Sequence, residues 1–114
     1  MRVIKFLDDE RHRDLFASMF VVFASSNALP QSMEDLLSAR SIKQKFVAVS
    51  DPDPNGRKFD RVMKEGEQVL KLKNSEWQYL YGRLQPPVGQ WTNFGADSAL
   101  DVLEMVKEAP QEES

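Results

Sequence analysis

Apolar residues recur along the chain with two different periods, and these periods predict its helices and strands. Residues 2–7 (RVIKFL) are rich in β-branched and aromatic side chains and predict a short strand. Three acidic residues follow, and the apolar side chains then return at helical spacing, so residues 9–24 are predicted to form a first helix. Its apolar face consists of Leu15, Phe16, Met19, Phe20 and Phe23.

A second helix is predicted a few residues later. Ser32 and Asp35 have the spacing of a capping box, with Asp in place of the usual Glu. The apolar positions Leu36, Leu37 and Ala39 follow this cap. Because strand-like residues come next, we expect this helix to be short.

Three segments in the middle of the chain have the composition or alternation of strands. They are residues 43–50 (KQKFVAVS), 57–63 and 68–73. Gly66 lies between the last two and can supply the positive φ that a hairpin loop needs. The sequence therefore predicts a three-stranded antiparallel meander over residues 43–73.

Two further helices are predicted in the last third of the chain. A capping box from Ser75 to Gln78 begins the third helix, and the double proline at 86–87 stops it. Asp97 or Ser98 caps the fourth. The apolar face of the fourth helix consists of Ala99, Val102, Leu103 and Val106.

These elements predict an α+β fold in one domain. We expect a small antiparallel β-meander, which the N-terminal strand can join, with about four short helices packed on one face. A chain of 114 residues is long enough for one modest core. We assign residues 1–108 to the domain and residues 109–114 (APQEES) to a disordered acidic tail.

Composition narrows the possible functions. The net charge of −3 argues against nucleic acid as the main partner, because DNA-binding domains usually carry a basic excess. The chain contains no cysteine, which excludes disulfides, thiol nucleophiles and thiolate metal sites. Its longest apolar run is far too short to cross a membrane, and the N-terminus does not resemble a signal peptide. We expect a soluble protein that does not bind membranes, with the cytoplasm as its location.

The run SDPDPNGRK at residues 50–58 raises the question of a metal site. Residues 51–56 follow the order D-x-D-x-N-G that begins an EF-hand calcium loop. The bidentate Glu that such a loop needs at its twelfth position is replaced by Val62. The prolines also fix φ where the chain would have to wind around the ion. We therefore expect a hairpin turn stabilised by Asx side chains, and no metal.

The sequence also lacks a plausible combination of catalytic residues. His12 is the only histidine, so the chain has neither a His-based zinc cluster nor a Ser-His triad. Its position among Arg11 and Arg13 predicts an exposed surface histidine. The acidic residues 8–10 are explained by helix capping, and the isolated glycines form no phosphate loop. We expect no catalytic residue, no cofactor and no enzymatic activity.

Basic residues on the predicted meander have two interpretations. A basic face for phosphates is one, and a solvated outer face that protects a sheet edge from aggregation is the other. The second is favoured, because the net charge is negative and no aromatic residue is interleaved on the face that carries Lys71 and Lys73. The residues concerned are Lys43, Lys45, Lys58, Arg61, Lys71 and Lys73.

Aromatic residues supply the first candidates for a protein-binding surface. At about 100° per residue, Tyr79 points away from the side of the third helix that carries Trp77, Leu80, Tyr81 and Leu84. It is therefore expected to be an exposed aromatic of the kind that interfaces favour. Trp91 and Phe94 form either a plug over the core or a second contact patch, and the plug is favoured.

One predicted strand supplies the remaining candidates. Phe59 and Met63 alternate there with Arg57 and Arg61, so the strand has no purely apolar face. Some apolar area is then expected to stay exposed near the hairpin. Aromatic, Met and Arg side chains are enriched at interface cores. Phe59, Arg61 and Met63 therefore join Tyr79 as candidate contacts.

The run EQVLKLKNSEWQYL at residues 67–80, followed by a Trp-containing loop and a closing helix, resembles small proteins from the structural-gene modules of tailed bacteriophages. Those proteins often pair a hairpin ending in L-x-L with a capped helix, an aromatic loop and a final short helix. The resemblance covers about residues 43–108, and the double proline before the aromatic loop departs from it. It implies a non-enzymatic role in a particle or its assembly, with a host cytoplasm or a virion as the location. No functional residue is carried over.

These observations favour a non-catalytic protein–protein interaction module, as a phage structural or assembly component, with a protein partner or self-association. An inhibitor or regulator that binds a host protein is an alternative with the same sequence features. Nucleic-acid binding through the lysine face is a third interpretation and would be salt-dependent. An enzyme is the class that the sequence favours least.

Overall fold

A computed structural model describes residues 1–25, 30–57 and 60–112 of the chain. The helices in this part of the chain are α1 (Glu10–Ala24), α2 (Met33–Ala48), α3 (Asn74–Leu84) and α4 (Ala96–Lys107). Its strands are β1 (Arg2–Phe6), β2 (Ser50–Pro52), β3 (Arg61–Met63) and β4 (Gln68–Leu72). The predicted α+β class is therefore confirmed.

The strands pair differently from the predicted meander. β1 pairs antiparallel with β4, with Ile4 opposite Leu70, so the N-terminal strand does take part in a sheet. β2 pairs antiparallel with β3 in a separate two-stranded sheet, with Ser50 opposite Met63. β3 and β4 are not partners, although Gly66 between them has the expected positive φ of 86°. The three-stranded meander is therefore wrong.

The second helix is much longer than predicted. α2 continues to Ala48 and so includes most of the segment 43–50, which the sequence indicated as a strand. Its buried residues are Ser38, Ile42 and Phe46, which lie four residues apart and therefore share one face of a helix. Burial of Phe46 in the core outweighs the weak β-propensity of the residues around it.

Aromatic rings pack around Phe46 where α1 meets α2. The ring centroids of Phe16 and Phe20 each lie 5.4 Å from that of Phe46, and the centroid of Phe23 lies 6.1 Å away. Phe6 of β1 extends the cluster, with its centroid 5.2 Å from that of Phe16. α1 also packs against β3, α3 and α4, and this places it at the centre of the core.

The last two helices begin a little earlier than predicted. α3 starts at Asn74, and the carboxylate of Glu76, rather than a side chain at Gln78, accepts a hydrogen bond from the backbone N–H of Lys73 (2.9 Å). α3 ends at Leu84, before the double proline. α4 begins after Gly95. Its predicted apolar face is confirmed: Ala99, Val102 and Val106 are buried, and Leu103 packs against the core.

Residues 109–112 are not the disordered tail that their composition suggested. Val3 donates its backbone N–H to the carbonyl of Pro110 (2.9 Å), and Glu112 donates to the carbonyl of Met1 (2.7 Å). Ala109 is only 3% exposed. The segment follows the free edge of β1, where it satisfies backbone groups that β4 leaves open. Residues 113–114 lie outside the described part of the chain.

No helix within the described residues combines the length and the apolar character that crossing a membrane requires.

Candidate protein interaction site

Three large apolar side chains lie close together on the surface of α2. Met33 is 71% exposed, Leu36 51% and Leu37 52%, and they occupy the first turn and a half of the helix. We call these three residues the α2 patch. Contiguous exposed apolar side chains mark interaction sites more often than isolated ones do. The α2 patch is therefore the candidate site.

The helix geometry explains why this patch faces outward. Leu37 and Phe46 are nine positions apart, which at about 100° per residue places them on opposite sides of the helix. Phe46 is fully buried among the aromatic rings of α1, so Leu37 must point away from the core. Met33 is one turn before Leu37 on the same face, and Leu36 adjoins it.

Both ends of α2 are fixed by polar contacts, so the patch lies on a well-anchored element. At the N-terminus the Ser32 hydroxyl accepts a hydrogen bond from the backbone N–H of Asp35 (3.0 Å). Near the C-terminus the Ser50 hydroxyl donates to the carbonyl of Phe46 (2.6 Å). Lys45 donates to the carbonyl of Lys71 and to the carboxylate of Glu76, both at 2.7 Å.

Glu76 is the buried anion that holds α2 against the start of α3. It is only 5% exposed. Burial by itself raises the pKa of its carboxyl group, but hydrogen bonds from Lys45, Ser41 and the backbone of Lys73 together outweigh that effect and lower the pKa from its usual value. The side chain is therefore ionised at neutral pH. In that form it accepts the hydrogen bonds that hold it in place.

Charged residues flank the patch, and a groove runs beside it. Glu34 and Asp35 lie in the first turn of α2, whereas Arg40 follows the patch. An open groove of about 340 Å³ lies between α2 and the start of α3, and Leu37 and Lys73 are among its lining residues. The site thus combines an apolar centre with an acidic N-terminal end and a basic C-terminal side.

Tyr79, the first candidate from the sequence, does not project freely into solvent. Its ring is half-buried, 6.4 Å from the ring of Phe23, and the guanidinium of Arg83 lies 4.7 Å from its centroid. Burial raises the pKa of the Tyr79 hydroxyl, and the nearby Asp35 adds to this, while Arg83 opposes it. The expected full exposure is wrong because α3 has neighbours on more than one side.

The candidates from the predicted strand 57–63 are buried, are hydrogen-bonded within the fold, or lie outside the described residues. Met63 is only 2% exposed, so the expectation that it contributes surface area is wrong. Arg61 is half-buried and donates to the hydroxyl of Ser50 (2.7 Å) and to its carbonyl (3.1 Å). These hydrogen bonds join β3 to β2, so Arg61 contributes to the stability of the fold. Phe59 falls outside the described part of the chain.

The aromatic loop is a plug over the core, as favoured from the sequence. Trp91 is 7% exposed, and its indole N–H donates to the carbonyl of Leu84 (2.8 Å). Phe94 packs against it, with 6.1 Å between the ring centroids, and remains partly exposed. Trp91 therefore stabilises the region after α3 and is not available as a surface contact.

The DPDPNG segment connects β2 to β3, and its side chains make the expected Asx interactions. A carboxylate oxygen of Asp53 accepts a hydrogen bond from the backbone N–H of Asn55 (2.9 Å). The carbonyl of Asp53 accepts one from Gly56 (3.1 Å), which closes the turn. The hairpin interpretation is therefore confirmed. Among the described residues, no group of three or more His, Asp or Glu side chains is placed to hold a metal ion.

His12 lies in the first turn of α1 but is half-buried rather than exposed. Its Nδ1 accepts a hydrogen bond from the backbone N–H of Leu7 (3.0 Å), and its ring packs edge-on against Phe6 at 6.5 Å. Asp9 caps the helix by accepting from the backbone N–H of His12 (2.7 Å). These contacts stabilise the connection from β1 to α1.

The lysines do not share one sheet face. Lys43 and Lys45 lie on α2, Lys71 lies on β4, and Lys73 immediately precedes α3. Lys58 falls outside the described residues. The alternation on β4 is as predicted, because Leu70 and Leu72 are buried while Lys71 is exposed. The basic sheet face predicted from these residues does not form, because it depended on a meander that the strands do not make.

The α2 patch was missed because the sequence interpretation named Leu36 and Leu37 only as apolar positions of a short helix and assigned no exposed face to that helix. The spacing of Ser38, Ile42 and Phe46 was the signal that could have revealed the true phase. With that phase, both leucines lie on the outer face.

Searches against protein-family models, curated proteins and solved structures find no significant match to this chain.

Proposed function

We propose that this protein is a non-catalytic protein–protein interaction module that binds its partner through the α2 patch. The observation that carries the proposal is the joint exposure of Met33, Leu36 and Leu37 on one anchored helix. Apolar side chains gathered on a rigid element lose little conformational freedom on binding, so their burial contributes directly to affinity.

A comparison with other exposed apolar residues supports the choice of surface. Leu100 of α4 is 58% exposed, and Val62 of β3 is 43% exposed. Each is the only large exposed apolar side chain on its own element within the described residues. Single exposed apolar residues are normal on protein surfaces, whereas the three residues of the α2 patch are adjacent.

The setting that we propose is the structural or assembly module of a tailed bacteriophage. Its support is the sequence resemblance of residues 67–80, a segment in which β4 leads directly into α3. β4 pairs with β1 rather than in a hairpin with β3, which departs from the pattern of those proteins. Genes for capsid and tail proteins on either side of the coding sequence would be expected in that setting. Early phage genes in those positions would instead favour an inhibitor of a host protein.

The proposal is tested by affinity capture with matched variants. Tagged wild-type protein is expressed in phage-infected cells of the bacterial host, and the proteins that it retains are quantified by mass spectrometry. Leu36→Ser combined with Leu37→Ser should remove a specific set of retained proteins, because it replaces the apolar centre of the patch by polar side chains. Leu100→Ser is the matched control and should retain the full set.

The circular dichroism spectrum and melting temperature of all variants should remain close to those of the wild type, since the substituted side chains are exposed. If the double variant retains the same proteins as the wild type, the α2 patch is not the binding surface.

A further inference from the structure

We propose that the groove between α2 and the start of α3 binds a phosphate group. This groove has a volume of about 340 Å³, and we call it the α2–α3 groove. Its lining is mainly polar, so the site is distinct from the protein contact proposed for the α2 patch and does not depend on it. The hydrogen-bond donors around it come from the N-terminus of α3, from a buried serine and from two cationic side chains.

The N-terminus of α3 meets this groove without a side-chain cap. Lys73 occupies the N-cap position and forms no side-chain capping hydrogen bond, because an ammonium group has no acceptor. Within the part of the chain that the structure describes, the backbone N–H groups of Asn74 and Ser75 have no hydrogen-bond partner. Lys73 and Ser75 line the groove. Free N–H groups at the positive end of a helix dipole attract anions.

Ser38 gives a second and independent indication of a ligand. It lines the groove from α2 and is only 7% exposed, yet its hydroxyl forms no hydrogen bond among the described residues. The other two buried serines that the structure describes, Ser18 and Ser50, each donate to a backbone carbonyl, at 3.1 and 2.6 Å. Buried hydroxyls in proteins are normally hydrogen-bonded.

The Ser38 hydroxyl is also not sealed inside the core. Among the described residues, Nε of Arg2 is the one fully enclosed side-chain nitrogen or oxygen that lacks a partner. The Ser38 oxygen therefore keeps some access to the groove that its residue lines. It is a donor left free for a group that enters there.

The charges around the groove favour an anion. Arg40 and Lys73 line it, and within the described residues neither forms an ion pair. The carboxylate of Glu76 lines it too, but the ammonium of Lys45 lies 2.7 Å away and balances its charge. Glu34 is the other acidic lining residue, and it is exposed, so solvent and salt screen it. Two cations without an ion pair therefore border the groove with one such anion.

A phosphate group suits this set of donors better than a carboxylate does. Its oxygens can accept hydrogen bonds from several directions at once, and here the donors belong to Ser38, Arg40, Lys73 and the start of α3. Arginine and helix N-termini are both typical of phosphate sites. The groove is larger than one phosphate ion and reaches Leu37, so it also has room for the organic part of a phosphomonoester.

An NMR titration of the purified full chain tests the site. Inorganic phosphate replaces sodium chloride at constant ionic strength, and the backbone amide signals of Asn74 and Ser75 should shift in a saturable way. A Kd on the order of 1 mM is expected, because so small a ligand makes few contacts. A parallel titration with phenyl phosphate separates the two sources of the group: tighter binding identifies a phosphomonoester as the ligand, and equal binding identifies the free ion.

Two variants and a matched control separate a built site from general attraction to positive charge. Ser38→Ala should raise the Kd for phosphate about tenfold, because it removes a hydrogen bond to a charged ligand without changing the charge of the protein. Lys73→Gln should also raise the Kd several-fold. Lys107→Gln removes the same charge from an exposed position on α4 and should bind like the wild type. Melting temperatures should stay close to that of the wild type, since Ser38 has no hydrogen bond to lose.

Three results would overturn the inference. One is the absence of saturable shifts with either probe at about ten times the expected Kd. Another is a Ser38→Ala variant that binds phosphate as tightly as the wild type. The third is equal weakening by Lys73→Gln and Lys107→Gln, which would show that only the overall charge matters. None of these results contradicts the proposed function, which fails only if the capture experiment shows no dependence on Leu36 and Leu37.

Discussion

Gly82 and Gly89 lie on either side of the end of α3 and differ in the space around them. A Cβ at Gly82 would have no heavy atom within 4 Å outside its own helix backbone. A Cβ at Gly89 would lie 2.4 Å from the carbonyl oxygen of Leu84, which also accepts the indole hydrogen bond of Trp91. The close approach of the Leu84 backbone therefore requires a glycine at position 89, whereas no such contact requires one at position 82.

The two glycines should respond oppositely to alanine. Gly82→Ala should raise the free energy of unfolding by about 0.5–1 kcal/mol, because glycine within a helix has excess freedom in the unfolded chain. Gly89→Ala should lower it by about 1–3 kcal/mol, since the backbone must move to admit the methyl group. Urea unfolding followed by circular dichroism measures both changes. Equal effects of the two substitutions would show that the packing around Leu84 is described wrongly.

At the residue scale, the sequence predicted burial correctly where a helix has a single apolar side. Ala99, Val102 and Val106 of α4 share such a side and are buried, although α4 packs against both α1 and α3. The prediction failed for Tyr79, because α3 packs against α1, α2 and α4, and its sides cannot be sorted into one buried and one exposed face. The spacing of apolar residues along one helix does not show how many other elements pack against that helix.

At the element scale, α2 shows how local composition can mislead. The residues KFVAV favour a strand by propensity, but no glycine or proline interrupts the chain between Ser32 and Ser50. The helix therefore continues past the predicted boundary, because burial of Phe46 in the core stabilises it. A search for spacings of four residues across the predicted boundary would have extended the helix.

The contact between α2 and α3 should make stability depend on pH through Glu76. Because its pKa is lowered from 4.5 in the folded protein, the stabilisation is present above about pH 4.5 and is lost as the pH falls through the folded-state pKa. Glu76→Gln should reduce the free energy of unfolding near neutral pH by about 1–3 kcal/mol, since charged hydrogen bonds are lost. The difference from the wild type should shrink on acidification.

Urea unfolding over a series of pH values measures this dependence. Glu104→Gln is the matched control, because Glu104 is exposed on α4, and its effect should stay within about 0.5 kcal/mol. A difference between wild type and Glu76→Gln that is constant across the acidic range would contradict the assigned role of the ionised carboxylate.

At the scale of the whole molecule, the class of fold was predictable, but the strand partners were not. Each of β1, β3 and β4 is recognisable from local composition, whereas pairing depends on contacts far apart in sequence, such as Ile4 with Leu70. The turn at 53–56 has the signals of a hairpin, and it does connect paired strands. The turn around Gly66 has similar signals and does not.

The location of the candidate site also depends on the whole molecule. Whether Leu36 and Leu37 are buried is decided by which side of α2 meets α1, and that is a property of the assembled core. Of the contacts that the sequence suggested, Met63 is buried in this core, and Trp91 is buried as the favoured plug interpretation expected.

The central claim is that the outer face of α2 is covered by protein when this molecule functions. Oxidation of methionine reports this directly, because Met33 is 71% exposed and Met1, on another part of the chain, is 37% exposed and serves as a reference. Oxidation rates of both residues are measured by mass spectrometry, in the dilute purified chain and in the assembly isolated from cells. We predict that Met33 is oxidised several-fold more slowly in the assembly while Met1 is unaffected. Equal oxidation of Met33 in the free chain and in an intact assembly would contradict the claim.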